Sequence, residues 1–134
     1  MAKKPKKQRV ARTRGGGRYT EAEYRGKLRA AIRRVSMYWP PKNDCLNAGR
    51  RKRQLSGRHK YEYQCEGCGH WFLAKEMDVD HVTPAGGFQT PEEFGQWVER
   101  VLVEHYAEDG TQQLQRLCKE NCHKKKTALE RKKK

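Results

Sequence analysis

The stretch Cys65-Glu66-Gly67-Cys68 and its counterpart Cys118-Lys119-Glu120-Asn121-Cys122 decide how this chain folds. Two thiolates that lie two to four residues apart can bind one Zn²⁺ from a tight turn, and two such pairs complete its tetrahedron. The spacing predicts one structural four-cysteine zinc site, and the alternative is two unrelated pairs of buried cysteines. Cys45 stands outside the pattern and is predicted to be a plain buried or surface thiol.

Such a metal would compensate for a small apolar core. Of the 134 residues, 34% are hydrophobic and 35% are charged. Apolar burial in a chain of this composition scarcely offsets the conformational entropy lost on folding, whereas a structural zinc contributes on the order of 10 kcal/mol. We therefore expect one compact core that depends on metal.

The hydropathy pattern bears on location. No apolar run approaches the ~20 residues of a membrane span, and no apolar segment follows the basic N-terminus as it would in a secretory signal. We expect a soluble, intracellular protein without a membrane partner. In a reducing compartment, the cysteines are expected to bind metal rather than to form disulfides.

Charge is distributed unevenly along the chain. Residues 1–60 carry a net charge of +17, residues 61–123 hold 4 basic and 12 acidic side chains, and the chain becomes basic again from Lys124 onward. Basic arms of this kind neutralise phosphates, so nucleic acid is the expected partner, with a merely solvated charged face as the alternative. An acidic centre suits a site that holds a cation.

The pattern of the first 60 residues predicts two segments. Residues 1–19 are basic with little to bury, which is typical of a disordered arm. Thr20 followed by Glu23 is a capping-box signature, and apolar residues then recur at helical spacing until Pro40. Residues 20–60 are thus predicted to be a basic helical segment, in which a second short helix follows Pro41 and a polar link ends the segment.

The remaining residues predict a mixed domain over 61–127 and a basic tail over 128–134. Short apolar runs after Tyr61 indicate strands, Thr90-Pro91 opens a helix, Leu114–Leu117 reads as another strand, and a last helix begins near Lys119. The fold class is therefore α+β, with the zinc-stapled core preceded by the basic helical segment.

Several basic side chains are predicted to contact DNA phosphates, although a solvated helix face is an equally good interpretation for those on the first helix. They are Arg25, Arg29, Arg33, Arg50, Arg51, Lys52, Arg53, Lys124, Lys125 and Lys126.

Two further motifs lie beside the cysteine pairs: Asp80-His81-Val82-Thr83-Pro84 between them, and Cys122-His123-Lys124-Lys125-Lys126-Thr127 after the second. The ordered pattern Cys-x2-Cys, Asp-His-x-x-Pro, Leu-x-x-Leu-Cys and Cys-His-x-x-Lys-Thr resembles the HNH endonucleases. It covers residues 63–127, and the sequence around His81 is similar to that of the small HNH or homing endonucleases of bacteriophages.

The resemblance implies a ββα-metal site, in which a hairpin and a helix surround one divalent ion, with the four-thiolate zinc as a separate scaffold. By motif, Asp80 and His123 are the candidate ligands of the catalytic ion, and His81 is the candidate general base. Asp and His donors would accept Mg²⁺, Mn²⁺ or Ni²⁺. Without the motif, His81 would be interpreted as an ordinary core histidine.

The sequence departs from the family pattern in two places. The middle Asn of the family, which orients the catalytic loop, is replaced by Gln113, and three residues rather than two separate Cys118 from Cys122. Gln offers the same amide groups on a side chain one methylene longer. The departures leave open whether Asn121 takes over part of the role.

The sequence thus predicts an endonuclease that hydrolyses DNA phosphodiester bonds, by nicking or by double-strand cleavage. The main alternative is a noncatalytic zinc module that binds DNA or RNA, and a degenerate nuclease fold that serves as an interaction protein is a third hypothesis. The expected partner is double-stranded DNA. Oligomeric state, phage packaging partners and, for a phage protein, action in the host cytoplasm stay open.

Overall fold

The computed structural model describes residues 3–5, 8–55 and 57–132. In chain order its helices and strands are β1 (Arg12–Arg14), β2 (Tyr19–Thr20), α1 (Glu21–Met37), α2 (Pro40–Ala48), β3 (Arg50–Lys52), β4 (Tyr61–Gln64), β5 (Trp71–Phe72), β6 (Met77–His81), α3 (Phe94–Val101), β7 (Leu114–Cys118) and α4 (Lys124–Lys132). A single π-helical turn, Lys119–His123, joins β7 to α4. The mixed helical and strand content confirms the predicted α+β class.

Residues 12–20 form a hairpin, although residues 1–19 are predicted to be a disordered arm. Strands β1 and β2 pair as an antiparallel hairpin, closed by glycines of which Gly16 has φ +69°, a conformation that favours glycine. Ion pairs fasten the hairpin to α1: Arg12 to Glu23 and Arg14 to Glu21. Ordering follows because the acidic first turn of the helix supplies partners for these arginines.

Helix α1 begins where the capping box predicts. The Thr20 hydroxyl accepts from the Glu23 amide at 3.1 Å, and the Glu23 carboxylate accepts from the Thr20 amide at 3.3 Å. The helix ends before Pro40, and α2 follows with proline in its first turn, where a missing N–H costs nothing. The Trp39 indole between the helices donates to the Val103 carbonyl at 2.8 Å, which ties the helical segment to the rest of the chain.

The basic run that leads into the predicted polar link forms a strand. Strand β3 pairs with β4, and β4 pairs with β5, all antiparallel. The Arg51 guanidinium lies 3.7 Å from the centre of the Trp71 ring and 2.6 Å from the Glu62 carboxylate. These contacts favour the extended strand for a run that composition alone suggests is loop, and they carry one sheet across the predicted boundary at residue 60.

Strands β6 and β7 form a separate antiparallel ribbon, which runs from the pair Met77 and Cys118 to the pair His81 and Leu114. The inner face of this ribbon meets the turn after β4. A buried cluster forms there from Cys65, Met77, Leu117 and Cys118, and Leu46 of α2 packs against it. The ribbon thus lies against both the predicted zinc site and the helical segment.

A second buried cluster joins α1 to α3. Phe88, Trp97 and Val101 form its centre, and Leu28 and Ile32 of α1 pack on it. This confirms that the apolar faces of both helices are core. Phe88 anchors the largely exposed 83–90 segment to this cluster, and the Trp97 indole donates to the Gly86 carbonyl at 3.0 Å.

Parts of three predicted segments lie outside the described residues: residues 1–2 and 6–7 of the arm, Ser56 of the link, and residues 133–134 of the tail. Residues 128–132 continue α4 without a break, so the predicted boundary at 127 does not coincide with the end of an element. Over the described ranges, no helix is both long and apolar enough to cross a membrane.

Arg116 is an internal strut between α2, β4 and β7. Its buried guanidinium donates to the carbonyls of Cys45 and Gln64, both at 3.0 Å, and lies 3.1 Å from the Glu66 carboxylate. A Cβ atom added to Gly49 would lie 2.5 Å from the Cζ atom of this arginine. Only glycine therefore fits at the end of α2.

We predict that Gly49→Ala lowers the free energy of unfolding by about 1–3 kcal/mol, because a methyl group forces a well-packed, hydrogen-bonded side chain to shift. Urea denaturation of the zinc-loaded protein measures the change. Gly26→Ala is the matched control, since a Cβ at this helical position has no heavy atom within 4 Å. The control should be more stable by about 0.5–1 kcal/mol; an equal loss in both variants would contradict the strut.

Candidate functional site

The four patterned cysteines meet in space. Their sulfur atoms all lie within 4.8 Å of one another, and they come from the turn after β4, the end of β7 and the π-helical turn. A Cβ on Gly67 would lie 2.7 Å from the Cys122 sulfur, so the absence of a side chain there lets the two turns approach. The predicted clustering is confirmed, and the cluster could hold a metal ion such as zinc.

The turns also prepare the thiols for a cation. Burial opposes ionisation of Cys65, but backbone amides of Cys68, Cys118 and Gly67 point at its sulfur and lower the pKa of the thiol to about 7. Burial, together with hydrogen bonds with the neighbouring cysteines, raises the pKa of the Cys122 thiol to about 12. Four crowded thiolates need a positive charge among them, which a bound metal ion supplies.

Cys45 takes no part in this cluster. It is fully buried in α2, and burial raises the pKa of its thiol to about 12. It is the plain buried thiol that its isolated position in the sequence predicts.

A group of acidic and imidazole side chains lies beside the cluster. Asp78 and Asp80 share one face of β6, because alternate residues of a strand point the same way. The π-helical turn brings His123 to this face: its Nδ1 lies 3.2 Å from an Asp78 carboxylate oxygen, and its Nε2 lies 3.9 Å from Oδ2 of Asp80. The structure therefore brings together the two predicted ligands, Asp80 and His123, and adds Asp78.

Each carboxylate oxygen of Asp80 accepts a hydrogen bond from the protein. Its Oδ1 accepts from the backbone amide of His81 at 2.9 Å, and its Oδ2 accepts from the Lys126 ammonium at 2.8 Å. Lys126 also donates to the His81 carbonyl at 2.8 Å and to the Glu130 carboxylate. Burial opposes the charge on Lys126, but the hydrogen bonds to Asp80 and Glu130 outweigh it and raise the pKa of the ammonium above its ordinary value.

His81 ends β6 and points to the opposite face from Asp80. Its Nε2 lies 2.7 Å from the carbonyl oxygen of Val101, the last residue of α3. Its ring borders a cavity of about 230 Å³ whose lining includes Thr83, Arg100 and Gln113. The histidine is half-buried and faces an open space rather than being enclosed in the core.

Gln113 is adjacent to this histidine, as predicted, but the loop is held by main chain. The Gln113 carbonyl accepts from the Val82 amide at 2.9 Å, and the Gln113 amide donates to the His105 carbonyl at 2.8 Å. Gln113 is one of the residues that line the cavity. Asn121 is exposed on the π-helical turn.

No family model, curated protein or solved structure matches the chain.

The structure assigns different surroundings to the basic residues predicted to contact DNA. Arg25 and Arg29 donate to the carbonyls of Gln89 and Phe88, at 2.6 and 3.0 Å, so they hold the 83–90 segment against α1. Arg33, Lys125 and the basic residues of β3 are exposed, and Lys124 pairs with Glu120 one turn earlier. Arg50 lies 4.3 Å over the Tyr61 ring, and Arg53 donates to the His59 carbonyl.

Two residues near the site have no motif that marks them. Asp78 could have been found from its spacing of two from Asp80 on a strand. Lys42 of α2 donates to Ser36 at 2.7 Å. Burial lowers the pKa of the Lys42 ammonium, and attraction by Asp80 and Asp78 offsets part of this effect. Nothing in the sequence near Lys42 signals this proximity, because it follows from the packing of α2 on β6.

We predict that Cys122→Ala abolishes stoichiometric metal binding and lowers the melting temperature sharply, because three remaining thiols leave one position of a tetrahedral ion open. Metal analysis after dialysis against dilute zinc, combined with thermal unfolding, measures both effects. Cys45→Ala is the control, since it removes a buried thiol outside the cluster. One ion per chain in both variants would contradict a four-cysteine site.

Proposed function

We propose that this chain is a metal-dependent DNA endonuclease of the HNH type, with zinc at the four cysteines and His81 as the general base. The single observation that carries the proposal is the placement of His81 and the Asp80–His123 pair at the end of one strand. A zinc module that only binds nucleic acid has no need of a cavity-facing histidine next to a carboxylate and imidazole pair.

The contact of His81 with Val101 supports the role of a base. A carbonyl oxygen can only accept a hydrogen bond, so the Nε2 of a neutral His81 carries the proton and donates it. Nδ1 is then the nitrogen with a free lone pair. A neutral imidazole can accept a proton from water, so Nδ1 of His81 would take the proton of the attacking water.

Asp80 and His123 fit a divalent ion. Their facing atoms are 3.9 Å apart, which is less than twice the ~2.1 Å length of a bond from such an ion to oxygen or nitrogen. Asp78 lies beside the other nitrogen of the His123 ring, where a carboxylate favours the proton and leaves Nε2 free as a ligand. An ion bound here would polarise the scissile phosphate and stabilise charge on the leaving oxygen.

The four-cysteine site cannot supply this chemistry. Zinc with four thiolates has no open position for water or phosphate, so we assign it to structure alone. The π-helical turn bears both Cys122 and His123. Zinc would therefore hold the turn that carries a ligand of the catalytic ion.

The replacement of the family Asn by Gln113 is compatible with activity. The loop after His81 is tied to β7 by the backbone bond between Val82 and Gln113, which any side chain at this position allows. Gln113 lines the same cavity as His81. We infer that the main chain performs much of the orienting role that the family gives to Asn.

DNA would reach the site over basic surfaces on α1, β3 and α4. Arg33, the Arg50–Lys52 strand and Lys125 are exposed, whereas Arg25 and Arg29 are used internally. A single chain offers one such site, so a monomer would nick one strand, and the family implies 5′-phosphate and 3′-hydroxyl ends.

We predict that the protein with Mg²⁺ or Mn²⁺ converts supercoiled plasmid to nicked or linear forms, and that His81→Ala reduces the rate by about 10²–10⁴-fold, the usual contribution of a general base. Agarose gel electrophoresis measures conversion, and EDTA should abolish it. His59→Ala, which removes an exposed histidine far along the chain from the motif, should cleave at the wild-type rate. Wild-type protein that binds plasmid without cutting it would favour the noncatalytic binding module.

We predict that Arg33→Gln weakens binding to duplex DNA without changing stability, and reduces the slope of log affinity against log salt by about 1, because one phosphate contact is lost. Fluorescence anisotropy with a labelled duplex at several salt concentrations measures the slope. Lys75→Gln is the control, since it removes an exposed positive charge from the turn between β5 and β6. Equal effects in the two variants would indicate only the loss of net charge.

A further inference from the structure

We propose that Lys126 is a built-in competitor of the divalent ion: its ammonium occupies the cation position at Asp80, and Glu130 is the acceptor that receives it when the ion binds. The inference rests on the proposed function, in which Asp80 and His123 hold the ion. It concerns how tightly they hold it.

The ammonium and the ion would bind the same oxygen of Asp80. Oδ1 accepts from the backbone amide of His81, whereas Oδ2 accepts from the Lys126 ammonium. Oδ2 is also the atom that faces Nε2 of His123. The Lys126 ammonium lies 2.8 Å from this same oxygen.

A divalent ion shared by Asp80 and His123 would therefore meet an ammonium at contact distance. Like charges a few ångströms apart repel strongly where solvent is partly excluded. Only 19% of the Lys126 side chain is exposed, so water screens the repulsion poorly. Either the ammonium leaves Oδ2 or the affinity for the ion falls.

Glu130 is a second carboxylate with which the ammonium can pair. It lies one turn further along α4 and already accepts from Lys126, with 33% of its own side chain exposed. Residues four apart on a helix face each other, so a small rotation of the lysine chain keeps this pair while releasing Asp80. The charge of the displaced ammonium would then be balanced by the Glu130 carboxylate.

The other charged groups around Asp80 do not share this position. Lys119 lies 3.9 Å from Asp78 rather than from Asp80, and Lys42 donates to Ser36. Lys125, next to Lys126 in sequence, is exposed. Lys125 therefore offers a matched substitution with the same loss of charge.

The test is the affinity of the zinc-loaded full chain for Mn²⁺, measured by isothermal titration calorimetry and by the loss of the free Mn²⁺ signal in electron paramagnetic resonance. We expect Lys126→Gln to bind Mn²⁺ about tenfold more tightly than Lys125→Gln, because a competing charge is gone. Lys126→Arg keeps the charge and should stay close to wild type. Zinc content and circular dichroism check that each variant is folded.

Glu130→Gln supplies a second arm with the opposite sign. It removes the negative charge that would receive the ammonium, so Mn²⁺ should bind at least about threefold more weakly in an otherwise wild-type chain. In the Lys126→Gln background the same change should have much less effect, because there is no ammonium left to relocate. This dependence separates relocation of Lys126 from a general effect of charge at Glu130.

Asp80→Asn distinguishes failure of this inference from failure of the proposed function. If Mn²⁺ binding is lost in Asp80→Asn but Lys126→Gln binds no more tightly than Lys125→Gln, the metal site stands and the competitor role of Lys126 is overturned. If no variant binds Mn²⁺ in an Asp80-dependent way, both the proposed metal site and the inference are overturned.

Discussion

The convergence of four thiols within 4.8 Å is the constraint on which the site depends. It joins the turn after β4 to the end of β7 and to the π-helical turn. The apolar core of so short a chain is small and contributes little to holding these three places together. The π-helical turn ends at His123, so the position of the cysteines also fixes the imidazole against Asp78 and Asp80. The same turn therefore contributes Cys122 to the thiol cluster and His123 to the group with Asp78 and Asp80.

The helical segment provides the second fixed point. Arg29 holds the carbonyl of Phe88, and Leu28 and Ile32 pack on the α3 cluster, so α1 braces the helix whose last carbonyl meets His81. Arginines that look like a phosphate-binding face in sequence are partly used for this bracing. The basic character of the segment therefore serves folding as well as any contact with nucleic acid, and only its exposed members are candidates for the latter.

Local sequence signals predicted much of this structure. The capping box at Thr20, the strand from Leu114 and the meeting of the cysteine pairs were all predictable, because each depends on residues close in sequence or on the geometry of one ion. The hairpin at residues 12–20 and the strand at Arg50–Lys52 were not, because each is stabilised by partners that composition does not reveal: Glu21 and Glu23 for one, Trp71 and Glu62 for the other. The ion pair between Lys126 and Asp80 was missed for the same reason, since nothing in the sequence distinguishes Lys126 from the other lysines of its basic run.

The proposed function requires two metal ions of different kinds, one bound by the four cysteine sulfurs and one between Asp80 and His123. Anomalous diffraction from crystals grown with zinc and soaked in Mn²⁺ distinguishes the two elements, because data are collected on either side of each absorption edge. We predict a zinc peak amid Cys65, Cys68, Cys118 and Cys122, and a separate manganese peak that contacts Asp80 and His123. A zinc peak alone, or manganese bound elsewhere on the chain, would contradict it.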